Sequence, residues 1–524
     1  MEQQRLIEPQ KTHREFSAHD SLFAWFSYIT AYLLCRTLPI TQKTLGGMLL
    51  VVLLFGFTAI FLKTKGIGLK GTPISTMISA VAVSTSLIVS SNTFLHFFAY
   101  VYALGAYGYF LYAATGNSLK RGDLLLADWF KALFLMPFYS FEDFELFRGM
   151  FHGRNRKSLN VLLKLAVGVG ITIIPTGIVL ALLSYDKGFA DLVGKLFDFE
   201  RFNLFSHIVS LAFAVPIGMY LYGLYISSTD RKCSDMFTAE KCNMLSDRVK
   251  IAPLSTALTA VIPLLAVYVL FFVSQWQYYI SGFTGILPLD FSYAEYAREG
   301  FFQLCAVSVI NLAVIVAVLL FMKKSKASSP ILKLLTVIFS LFTLVLISTA
   351  IAKMVMYIRF YGLTQKRVYA TWFMVILAVV FIIVALGRFI SKMKTVSLCA
   401  VVIVTSFAIL ALGNADRLIA QYNVDRYLNG TLQTVDIDAM SDLGDAAVPQ
   451  LVRLAKHLDD QNGTDIANVT YADIEYQTDL YSQTAAALLH QSRAWQESDH
   501  SIFSFTVNGA AAKAALKNAG LLAE

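Results

Sequence analysis

The sequence predicts an all-α fold: a polytopic transmembrane helical bundle of about 11 spans, N-terminus inside and C-terminus outside, with a small C-terminal helical soluble domain. Three observations predict it. Of 524 residues, 56% are hydrophobic and only 15% are charged, whereas soluble domains usually carry about 25% charge. Apolar runs of roughly 20 residues, enough to cross a hydrocarbon core, recur along most of the chain. Past Asn414 these runs stop, while helical apolar spacing continues.

The N-terminal tail, residues 1–20, is polar and carries Arg5, Lys11 and Arg14. The first apolar stretch has no small-residue cleavage site and runs into further spans, so it reads as a span and not as a cleavable signal. Spans are expected near residues 21–40, 45–62, 72–91, 94–115, 161–184, 207–227, 253–275, 301–322, 331–354, 368–390 and 396–414. Lys and Arg collect in alternate loops, about 25 in the inside set against about nine outside. Lys63, Lys65 and Lys70 mark one inside loop, Lys323, Lys324 and Lys326 another, and Arg388, Lys392 and Lys394 a third. An odd span count then puts the C-terminus outside, in a bacterial cytoplasmic membrane. The net charge of +8 is this loop pattern. No contiguous basic stripe exists for nucleic acid.

Two loops within the transmembrane domain, residues 21–414, are more than turns. The cytoplasmic insertion 118–160 carries Leu124, Trp129, Phe130, Leu133 and Phe138 broken by acids, the pattern of a helical hairpin along the headgroups, with Pro137 as its break. The outer insertion 185–206 repeats the theme with Phe189, Leu192 and Phe197. The extracytoplasmic domain, 415–524, opens an amphipathic helix at Leu443–Leu458, with further helices over 471–495 and 509–522. Its sequons at Asn462 and Asn468 carry no weight in a bacterial chain.

Residues with chemistry are sparse. Of the five cysteines, Cys35, Cys305 and Cys399 sit in or beside apolar runs, and the spacing of Cys233 and Cys242 matches no zinc or redox motif. No metal cluster, catalytic residue or cofactor motif is expected. Pro175, Pro216, Pro253 and Pro263 interrupt or flank spans, as they do in many membrane helices. No span has an acid at its centre. Lys164 and Lys353 lie near span ends, where they can snorkel, and His96 lies near an outer end.

Polar signal gathers instead at three stretches that the topology puts on the outer face. The first holds Asp290, Glu295, Arg298 and Glu299; Ser292 and Glu295 have capping-box spacing, so a helix starts there. The second holds Arg359, Lys366 and Arg367, an exception to the scarcity of outer cations. The third holds Asp416 and Arg417. They are read as one outer polar cluster, which either takes a ligand or pairs internally.

These stretches also carry a resemblance. "FSYAEYAREGFFQL", "YGLTQKRVYA" and "NADRLIAQYNVDRY…LGDAAVPQL" resemble the bacterial membrane family called domain of unknown function 4173, and the allied family 4153, over roughly residues 250–455. The resemblance implies a multi-pass bacterial membrane protein and assigns no catalytic residue.

The sequence leaves two functions open. One is transport, or handling of lipid or envelope precursors, through the outer polar site. The other is a non-catalytic sensor or assembly scaffold whose outer domain binds a partner. The expected partners are the bilayer and, on the outer side, a lipid headgroup or an envelope protein. A membrane enzyme ranks last, because no nucleophile or phosphate-binding motif is present.

Overall fold

The computed structural model describes residues 18–37, 44–119, 124–139, 202–230, 238–274, 301–323, 328–390, 392–470, 479–497 and 501–522. Among them the protein is helical, with one isolated bridge, between Ala252 and Met322. In the first half, α1 is Ala18–Thr37, α2 Thr44–Thr64, α3 Thr72–Val89 and α4 Thr93–Ala114. Next come α5, built from Leu125–Phe130, a π-turn Lys131–Leu135 and Met136–Tyr139, and α6, Phe202–Thr229. In the second half, α7 is Ala239–Val249, α8 Leu254–Ser274, α9 Phe301–Phe321, α10 Ser328–Tyr361, α11 Gln365–Leu386 and α12 Thr395–Leu412. The C-terminal helices are α13, Ala415–Leu428, α14, Ile437–Ser441, α15, Val448–Asn462, α16, Leu480–Glu497, and α17, Val507–Asn518.

Nine of the described helices are long and apolar enough to cross a membrane: α2, α3, α4, α6 and α8 to α12. Two of the eleven expected spans are not among them. Residues 161–184, with Lys164, lie outside the described residues, as do residues 185–201. The stretch expected at 21–40 is helical as α1, but its serines, tyrosines and terminal Asp20 and Arg36 dilute its apolar character. It packs along α6 by specific contacts instead. Phe23 stacks on Tyr225 with centroids 3.6 Å apart, and Tyr32 Oη meets His207 Nδ1 at 2.6 Å.

Two helix bundles result. The first buries Phe23, Phe55, Tyr107, Phe110 and Tyr225 between α1, α2, α4 and α6. Residues 125–139 wedge into this bundle. Ala132 and Met136 are buried in its core, Tyr220 donates to the Leu133 carbonyl at 2.9 Å, and Gly223 leaves room for the Pro137 carbonyl. Leu126, Phe130, Phe134 and Phe138, four residues apart, stay exposed on the opposite face. The second bundle buries Phe301, Phe339, Leu346, Ala350, Met374 and Phe381 between α8, α9, α10 and α11. Lys353 lies on the buried face of α10 and is 1% exposed, so it does not snorkel as its place in the sequence implied. Phe407 and Leu410 of α12 pack against Leu95 and Trp372, joining the two bundles at one end.

That end also carries the C-terminal domain. We call it the outer end, after the charge rule. The domain's core runs from Ile419, Ala420 and Val424 of α13 through Leu451, Leu454 and Leu488 to Leu516, with Leu363 and Val368 of the membrane part against it. Pro449 in the first turn of α15 and Gly463, left-handed at φ 68°, at its end fix that helix. A fragment of residues 415–524 should therefore be soluble and helical by circular dichroism. One that starts at residue 430 loses three core residues and should melt at clearly lower temperature. Equal melting would show that α13 belongs to the membrane part alone.

Candidate functional site: the outer seam

Helix α10 ends at Tyr361, and its last carbonyls need donors. Gly362 turns the chain in the left-handed region, at φ 75°. Arg367 reaches back from the first turn of α11. Its Nη1 donates to the carbonyls of Tyr361 at 3.0 Å and Gly362 at 2.7 Å, and its guanidinium lies 4.1 Å from the Tyr357 ring centroid. Arg426 of α13 donates to the carbonyl of Arg359 at 2.9 Å and also binds Thr431. Two cations thus sit at the negative end of one helix dipole. Between them the Asn423 amide accepts from Leu363 N at 2.7 Å and donates to Leu363 O at 2.8 Å.

Asp416 is 1% exposed. One of its oxygens accepts from Gln365 Nε2 at 3.0 Å, and the other is buried without a hydrogen-bond partner. Burial pushes its carboxyl above the usual carboxylate range, and the neighbouring amides of Gln365 and Asn92 pull the other way without cancelling the effect. Asn92 caps α4 by accepting from Leu95 N at 3.1 Å, so this cluster joins the first bundle to the second. Asn414, left-handed at φ 48°, exchanges amide hydrogen bonds with the buried Asn508 of α17 at 2.7 and 3.1 Å.

A carboxyl whose folded pKa is raised binds protons more readily in the folded state. Its contribution is least unfavourable below the ordinary carboxylate pKa, and the penalty grows as pH rises through the raised value. Asp416→Asn should therefore raise the melting temperature of the full-length protein at pH 7 and change it little near pH 4. An equal shift at both pH values would contradict the burial argument.

The structure places the expected cluster only in part. Asp290, Glu295, Arg298 and Glu299 lie outside the described residues. Arg359, Lys366 and Arg417 are exposed on the seam. Arg367 and Asp416 occupy adjoining parts of it, joined through Gln365 in the first turn of α11. None of these cations forms an ion pair with a carboxylate of a described residue. Arg367 serves backbone carbonyls, which accounts for one of the outer cations that the charge rule leaves unexplained.

Sequence reasoning passed over a second polar centre at the opposite end. Asp128 is 2% exposed and accepts from Tyr112 Oη at 2.8 Å, Ser118 Oγ at 3.1 Å and Leu119 N at 3.2 Å. Lys131, also 2% exposed, lies 5.6 Å from the Tyr112 ring centroid, in the π-turn. Nearby, Lys65 pairs with buried Asp20 at 3.1 Å and borders a cavity of about 510 Å3 with Thr115, Gly116, Thr229 and Asp230. Lys131 sits in a π-turn, which hydrophobic periodicity cannot reveal. Among the described residues no group of His, Cys, Asp and Glu is placed to hold a metal ion.

Compared with known families, residues 77–454 match the family described as Domain of unknown function (DUF4153), well over half of the chain. The chain belongs to this family. The matched family is thus the allied one of the two that the motifs resemble, and the match begins far upstream of residue 250. It takes in Asn92, Gln365, Arg367, Asp416 and Arg426 of the seam and Asp128 of the opposite end, and leaves out Asn508. No curated protein and no solved structure matches the chain.

Proposed function

We propose that this DUF4153 protein is a non-catalytic membrane relay of the bacterial cytoplasmic membrane. Its outer helical domain meets a lipid headgroup or an envelope partner and biases the packing of the two bundles. The observation that carries this reading is that the domain is bonded to both bundles. Asn423 holds Leu363, Gln365 holds Asp416, and Thr44 at the start of α2 donates to the Phe505 carbonyl at 2.8 Å. A domain that served only as an appendage needs one attachment. In this reading exposed Arg359, Lys366 and Arg417 receive an anionic group, or the acids Asp290, Glu295 and Glu299 of the stretch that also carries Arg298.

Hydrogen exchange tests the coupling. Asn508→Ala in the full-length protein should speed amide exchange at residues 363–369 and in the first turn of α2, beyond the altered helix. Faster exchange confined to residues 505–518 would refute the relay. Transport or lipid handling is the second reading, favoured by the 510 Å3 cavity and by Lys353 and Lys131 buried inside the bundles.

A further inference from the structure

The C-terminal domain exposes an apolar knuckle. Between α16 and α17 the chain makes a 3₁₀ turn, Ile502–Ser504, and Ile502 is 77% exposed, Phe503 52% and Phe505 47%. A small water-soluble domain seldom shows three large apolar side chains together without a use for them. Their position decides what that use is. A Cβ added at Gly46, in the first turn of α2, would lie 3.6 Å from the Phe503 side chain, and Thr44 donates to the Phe505 carbonyl. The knuckle therefore sits at the depth where an apolar helix begins.

Gly46 also heads a stripe. Leu49, Leu53, Phe57 and Ile60 follow it at helical spacing, each more than 40% exposed, on the face that α2 turns away from its bundle. On a membrane-spanning helix such a face meets acyl chains. The knuckle continues this stripe past the end of the span.

We infer that Ile502, Phe503 and Phe505 form an interfacial anchor, which seats the outer domain in the headgroup and upper acyl region of the outer leaflet. Aromatic and aliphatic side chains without charge suit that depth. The anchor does not depend on the relay reading, because a passive domain would be seated in the same way. It explains how the domain's far edge is held where Thr44 supplies a single side-chain hydrogen bond.

Depth-dependent fluorescence quenching tests it on the full-length protein in phosphatidylcholine vesicles. Ile502→Trp and Phe503→Trp are compared with Lys456→Trp, on an exposed face of α15, each as a difference from the parent protein. The two knuckle tryptophans should lose roughly half of their added emission to lipids brominated high on the acyl chain. They should resist aqueous acrylamide, whereas the Lys456→Trp signal should behave in the opposite way. Strong acrylamide quenching at 502 and 503 would overturn the anchor. Protection from both quenchers would also overturn it, and would point to a protein partner or a second copy. Because both positions are exposed, the variants should fold, and an unchanged circular dichroism spectrum checks that they do.

Discussion

Gly362→Ala should destabilise the protein by about 3 kcal/mol. Roughly 1–2 kcal/mol is the cost of a side chain in the left-handed region. The rest comes from Asn423, since the new Cβ would sit 2.5 Å from its Oδ1 and displace an amide that satisfies both backbone groups of Leu363. Gly430 provides the control. It is left-handed too, at φ 68°, but has nothing within 4 Å of a Cβ, so Gly430→Ala should cost only about 1 kcal/mol. Thermal melting of the two variants in detergent separates the contributions. Equal losses would mean that Asn423 adds nothing to the joint between α10 and the outer domain.

Asp128→Ala should have an effect at least as large, at the other end of the molecule. It strips the acceptor from Tyr112, Ser118 and Leu119 N inside a packed bundle. Each buried donor left unmet costs about 1–3 kcal/mol, so a loss of about 4 kcal/mol is expected. Asp128→Asn keeps the volume and one carbonyl acceptor and should cost about half of that. Chemical denaturation or half-life at fixed temperature measures both. A neutral Asp128→Ala would show that water reaches the site and replaces the carboxylate.

How much of this was legible in the sequence depended on the kind of interaction. Spans such as Phe301–Phe321 announce themselves, because lipid asks only for apolar surface along one continuous helix. The seam was half legible. Asp416 and Arg367 stand out as charges at span ends, and their stretches do adjoin. Arg367 turns out to serve backbone carbonyls, and Asp416 lies among the neutral amides of Gln365 and Asn92; an amide looks the same in a sequence whether it faces water or a buried carboxylate. Asn414 and Asn508 lie 94 residues apart, beyond the reach of any local pattern. Asp128 was hidden for another reason. Its neighbours Leu126, Phe130 and Phe134 make an amphipathic stripe, and a stripe does not say whether the other face meets headgroups or Tyr112.

The same distinction explains Lys353. From its position near a span end, a lysine with a long stem is free to reach the interface. It lies instead on the face of α10 that carries Leu346, Ala350 and Met354 into the second bundle. Rotation of the helix, set by packing, decided where the charge went.

The central claim is that the outer domain couples the two bundles. Distances between spin labels test it most directly. Lys70 and Lys392 are exposed at the end remote from the seam, one beside the first bundle and one beside the second. With labels at both, pulsed electron resonance on the full-length protein should give a distance distribution that broadens or shifts when Asn508→Ala loosens the outer domain. An identical distribution, with Asn508→Ala shown by hydrogen exchange to have freed α17, would contradict the claim and leave the domain an anchored appendage.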